Sequence, residues 1–121
     1  MKFLIDSVII IDHLNGRPGA SVFLERYWEE CAISVITRAE TLVGADTEST
    51  GTVRTLLDRF PALPVEMVTG DLAADLRRQH KWKLSDAIQA ALAILHGLKF
   101  VTRNVHDFNP RRHSFVLIPY R

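Results

Sequence analysis

Cysteine is almost absent: Cys31 is the single one in 121 residues. No disulfide framework can therefore form, and a structural zinc site of the cysteine type is excluded. Cys31 reads as a small buried apolar side chain. Long hydrophobic runs are missing too. No apolar stretch approaches the ~20 residues that span a bilayer, and Asp6 interrupts the apolar start that a signal peptide would need. A soluble cytoplasmic protein with no membrane partner is the expectation. An excess of one charge is also lacking, since 15 basic and 14 acidic residues leave a formal charge of +1, so total charge gives no argument for nucleic-acid binding. There is no GxxxxGK[ST] loop for a nucleoside triphosphate and no HExxH pair for zinc. No repeat, linker or low-complexity tract divides the chain, and residues 1–121 read as a single domain.

What is present is an ordinary globular balance, 47% hydrophobic and 24% charged, which suits one core. Lys2 to Ile5 reads as a short buried strand, and Ser7 as the cap of a helix running to Leu14 before Asn15 and Gly16. Pro18 and Gly19 mark a loop. Ala20 to Glu30 is expected to be helical, Cys31 to Val35 a strand, Thr37 to Ala45 and Gly51 to Phe60 helices. Pro64 to Val68 reads as a third strand, followed by a helix from Thr69 to about His80. Ser85 is positioned to cap a helix whose apolar face carries Ala87, Ala90, Ala91, Ile94 and Leu95 and which stops at Gly97. Lys99 to Thr102 and Phe115 to Ile118 complete five strands. Their alternation with helices predicts an α/β fold, a mostly parallel five-stranded sheet flanked by helices on both faces.

The stretch FLIDSVIII sets Asp6 among apolar residues on both sides. An ionised carboxylate withdrawn from water costs several kcal/mol unless it is paired or metal-bound. Three further acids fall near strand ends, where open α/β sheets bind ligands. Glu40 lies one helical turn past the second strand, Asp86 opens the helix leading into the fourth, and Asp107 follows the fourth. Two carboxylates about 4 Å apart repel by about 4 kcal/mol at an effective dielectric near 20, and a cation removes that repulsion. All-oxygen donors favour Mg²⁺ or Mn²⁺ over zinc. Such an ion supplies activated water for hydrolysing a phosphodiester and stabilises the leaving oxygen. Each acid also has a plainer explanation. Thr37 and Glu40 match a capping box, Asp86 suits the positive end of a helix dipole, and Asp107 is a common turn former.

The blocks FLIDSVIIIDHL, ISVITRAETLVGA and LSDAIQAALAILHGLKFVTRNVHDF resemble, in this order, the three signature blocks of PIN-domain proteins, in particular VapC-type toxins of type II toxin–antitoxin pairs. The resemblance covers nearly the whole chain. It implies a PIN-like nuclease domain acting as a metal-dependent endoribonuclease, with RNA as substrate and a carboxylate cluster holding Mg²⁺ or Mn²⁺. By block matching, Asp6, Glu40 and Asp86 correspond to the family's first three acids. Ser7, Thr102 and Asn104 occupy supporting polar positions. Some relatives carry aspartate where this chain has Asn104, so Asp107 either takes over that duty or stands behind it. Val8 departs from a position that is polar in many relatives.

The resemblance further implies a homodimer and a small antitoxin lying along a groove near the active site. Phe23, Tyr27 and Trp28 are candidates to line it, with core packing as the alternative. Basic residues gather in RRQHKWK and between Arg103 and Arg121, a positive rim for a polyanion. Trp82, between two lysines, either stacks on an RNA base or covers a core edge. Two rival readings stand beside the nuclease. A receiver domain would need an aspartate ending the third strand and a lysine after the fifth, and this chain has Met67-Val68-Thr69 and Ile118-Pro119-Tyr120 there. A catalytically degenerate PIN fold would bind RNA or protein only.

Overall fold

Leu4 and Ile5 are fully buried because their strand, β1 (Phe3–Ile5), is the middle one of five. The computed structural model describes Met1–Arg121. Around β1 the sheet adds β2 (Cys31–Ser34), β3 (Ala62–Leu63), β4 (Lys99–Val101) and β5 (Val116–Leu117), in the order β3-β2-β1-β4-β5. Every neighbouring pair is parallel, so the expectation of a mostly parallel sheet is met in full.

A parallel sheet must be covered on both faces, and successive residues of a strand serve opposite faces. Ile5 and Val101 join a core of Ile9, Ile10, Phe23, Leu24, Val53 and Leu57. Leu4 and Phe100 join the other, with Trp82, Leu92, Phe108 and Val116. The first layer is supplied by α1 (Ser7–Leu14), α2 (Pro18–Tyr27) and α4 (Thr50–Leu57), with α3 (Val35–Val43) beside them. The second comes from α6 (Leu84–His96), and α5 (Met67–His80) packs on it through fully buried Ala73, Ala87 and Ala91. Alanine there lets the two helix backbones approach closely.

Several boundaries differ from the sequence reading. The third strand is Ala62–Leu63, paired with Ile33 and Ser34, and not Pro64 to Val68. Pro64 has no N–H to donate and ends the ladder. Met67 and Val68 open α5 and are 89% and 58% exposed. Pro18 is not in a loop but in the first turn of α2, where a missing N–H is harmless. That helix ends at Tyr27, and Trp28–Glu30 tightens into a 3₁₀ turn. Gly19 lies under the C-terminal segment, where a Cβ would come 2.7 Å from Tyr120 Cγ.

The caps also move. Asp6 itself caps α1, Ser34 caps α3 in place of Thr37, and α6 begins after Lys83 with Ser85 inside its first turn. Gly97 ends α6 in the left-handed region, φ 64°, as glycine there leads one to expect.

The chain runs outward from β1 to β2 and β3, then returns to the other side for β4 and β5. Strand order therefore reverses between β1 and β4. The crevice beyond their carboxyl ends is where such sheets bind ligands.

Candidate active site at the strand switch point

Asp6 follows β1 and Thr102 follows β4, so the sheet brings them face to face across that crevice. Thr102 Oγ1 donates to Asp6 Oδ2 at 2.7 Å, and the Ser7 amide donates to Asp6 Oδ1 at 2.8 Å. Because the aspartate does the capping, the Ser7 hydroxyl is released, and it donates to Glu40 Oε1 at 3.2 Å. Glu40 projects from α3 and Asp86 from the first turn of α6. Asp6, Ser7, Glu40, Lys83, Asp86 and Asn104 line one cleft of about 370 Å³. Val8 lines it as well, the one apolar side chain on an otherwise polar wall.

Electrostatics mark this cleft off from the rest of the surface. Burial pushes the Asp6 carboxyl up to about 6; its bonds from Thr102 and Ser7 oppose the shift, and nearby Asp86 and Glu40 reinforce it. Asp86 is raised as well, by burial and then by Asp107 and Glu40, with Lys83 opposing. The ion pairs of the molecule involve Asp12, Glu30, Asp58 and Asp75, and none involves Asp6, Glu40, Asp86 or Asp107. The acids are thus gathered without a protein cation bonded to them.

Asp107 stands one step away. Asn104, on the cleft wall, donates from Nδ2 to Asp107 Oδ2 at 3.0 Å, and Asp107 N returns a bond to Asn104 Oδ1 at 3.3 Å. The Trp82 indole N–H donates to the Asp107 carbonyl at 3.2 Å. Trp82 is only 4% exposed, so it packs the core edge and its face is not free for a base. No three of the acids form a ready-made ligand group in the arrangement present. An all-oxygen set with few carboxylates per ion nevertheless suits a hard dication that retains several waters.

Sequence reasoning missed the buried link behind the acids. Thr37 Oγ1 donates to the Ile5 carbonyl at 3.2 Å and accepts from Gln89 Nε2 at 2.6 Å. Ile5 precedes Asp6, Thr37 lies one turn before Glu40, and Gln89 one turn after Asp86. The visible signal was a glutamine on the alanine face of α6. A second network was missed too. Asp12 accepts from Arg103 Nε at 2.8 Å and from the Tyr120 hydroxyl at 2.7 Å. Burial opposes ionisation of Asp12, yet Tyr120, Arg103 and Arg17 together hold its carboxyl below the usual range.

The family model described as "PIN domain" matches residues 3–109. The chain belongs to the PIN-domain family. Relatives of this PIN domain include two Mycobacterium tuberculosis proteins, Ribonuclease VapC10 and Ribonuclease VapC19. Each is 32% identical, with 87% of this chain covered and 84% and 90% of the relatives respectively. Among solved structures, a toxin–antitoxin complex from Klebsiella pneumoniae contains a chain that superposes with a TM-score of 0.92. It is 36% identical and covered over 99% of both chains. In this PIN domain the switch-point crevice, with Asp6 at its floor, is the candidate active site.

Proposed function

We propose that this PIN domain, residues 1–121, is the toxin of a type II toxin–antitoxin pair. It acts as a divalent-metal-dependent endoribonuclease in the cytoplasm, and a cognate antitoxin silences it. The observation that carries this reading is the burial of Asp6 beside Asp86 and Glu40, with no Lys, Arg or His side chain paired to any of the three. Asp6, Asp86 and Glu40 would hold Mg²⁺ or Mn²⁺, with Asp107 contributing through Asn104. When bound, such an ion supplies activated water and charge stabilisation for in-line phosphodiester hydrolysis.

The chain's own groups do the placing. Thr102 and the Ser7 amide fix both oxygens of Asp6, and the Ser7 hydroxyl orients Glu40. Lys83 on the rim receives RNA phosphates without reading sequence, while Arg103 beside it is held by Asp12. The apolar groove of about 530 Å³ between α2 and the C-terminal segment, lined by Phe23, Tyr27 and Ile118, would take the antitoxin. Exposed Val43, Met67, Val68 and Leu84 offer apolar surface for a homodimer.

Changing Asp6 to Asn tests the assignment. With the fold checked by circular dichroism, the variant should lose Mg²⁺-dependent RNA cleavage and growth arrest on expression. Cleavage at the wild-type rate would overturn the proposal.

A further inference from the structure

A second cavity, of about 580 Å³, opens on the far side of the Asn104–Asp107 pair. His80, Trp82, His106, Asp107, Arg112 and His113 line it. The two cavities meet at that hydrogen-bonded pair, with Asn104 on the acidic wall and Asp107 on the other. An acidic, oxygen-lined cleft therefore adjoins a cavity of imidazoles and a guanidinium.

The wall is built by local geometry. Helix α5 ends at His80, and Lys81 takes the left-handed conformation, φ 63°. Arg77 Nη1 donates to the Trp82 carbonyl at 2.6 Å and holds the reversed turn. The chain thus folds back so that His80 stacks on Trp82, centroids 4.3 Å apart and planes 17° from parallel. His113 meets His80 and Trp82 edge-on, at 5.1 Å each. Trp82 is sealed against Phe108 at 4.6 Å, while His80 and His113 are half-exposed and Arg112 is exposed. Arg112 belongs to no ion pair.

Resting on the nuclease reading, we infer that this cavity binds the nucleotide next to the scissile phosphate of single-stranded RNA and sets base preference there. Its base lies against the His80 and His113 rings, and its phosphate meets Arg112. Single-stranded RNA is read by stacking unpaired bases on aromatic and imidazole rings or guanidinium planes, and by hydrogen bonds to base edges. Burial, then His80 and Arg112, holds His113 below the usual imidazole range. A neutral ring offers one donor and one acceptor to a base edge. A strand whose phosphate sits in the acidic cleft has its neighbouring nucleotide delivered to this cavity across Asn104 and Asp107. The Arg112 guanidinium also offsets part of the repulsion between the strand and the acids.

The test has two arms. In the first, imidazole resonances of the full chain are followed by NMR while each of the four nucleoside 5′-monophosphates is added. The His80 and His113 signals should move with a subset of the four, and those of His13 and His96 should not. In the second, an RNA pool randomised around the cut is cleaved by wild type, Arg112→Gln and His113→Gln. Arg112→Gln should raise KM about tenfold, the scale of one lost contact, with a smaller fall in kcat. His113→Gln should alter base preference at a single position beside the cut. Unmoved imidazoles together with unchanged KM and preference, while wild type cleaves RNA, would overturn the pocket and leave the nuclease standing. Signals that move only on adding antitoxin would assign the surface to protein and overturn it as well. Wild type that cleaves no RNA while His80 and His113 respond to nucleotides would overturn the nuclease reading instead.

Discussion

Gln89 Nε2 lies 2.6 Å from Thr37 Oγ1, and this buried contact ties α6 to α3 directly behind the acids. Thr37 completes the link by donating to the Ile5 carbonyl. Three elements that each carry an acid are thereby fastened at one hydroxyl. Thr37→Val keeps the shape and deletes that hydroxyl, leaving the Gln89 donor unpartnered. Urea unfolding should show a loss of about 1–3 kcal/mol. Gln89→Met removes the donor together with its Oε1, which meets no protein partner, and should cost less than Thr37→Val.

Asp6 makes the metal-free protein's stability depend on pH. Its folded value of about 6 lies above the ordinary 3.8. Stability from this group is complete below about 3.8 and is lost as pH rises through 6. The loss approaches about 3 kcal/mol at pH 7.5. In EDTA, Asp6→Asn should therefore be more stable than wild type at pH 7.5, and the advantage should shrink toward pH 4. Urea titrations of both proteins across that range would show it. An advantage independent of pH would contradict the burial of a charged Asp6.

Much of this was legible in local sequence. The apolar runs of β1, β2 and β4, and the alanine face of α6 closed by Gly97, announced the alternating sheet. Acids at strand ends announced the cleft. The third strand was not legible, because Val65, Met67 and Val68 look strand-forming while the ladder to Ile33 and Ser34 selects Ala62 and Leu63. Register is decided by a partner strand, not by local propensity. The pairing of Thr37 with Gln89 spans 52 residues and leaves no local trace. Asp107 was placed at the right edge of the sheet, but only the fold shows it reaching the cleft through Asn104.

Trp82 acts on the site through the backbone. Trp82→Phe loses the indole donor to the Asp107 carbonyl and some contact with Phe108. A destabilisation of about 1–3 kcal/mol is expected, measured by thermal unfolding. Loss of protection at amides near Asp107 in hydrogen exchange should accompany it.

Gly19 and Tyr120 form a steric pair. Gly19→Ala drives a methyl into the Tyr120 ring and should destabilise by about 1–3 kcal/mol. In a Tyr120→Ala background the same change should become neutral or stabilising by up to about 1 kcal/mol, since alanine favours the helix. A double-mutant cycle reads the sign reversal.

The most direct measurement is calorimetric titration of Mn²⁺ into wild type and Asp6→Asn at pH 7.5. Wild type should bind Mn²⁺ in a saturable isotherm, and the variant, equally folded, should lose that binding. Identical isotherms for the two proteins, or no binding to wild type, would contradict the claim that a hard dication neutralises these acids.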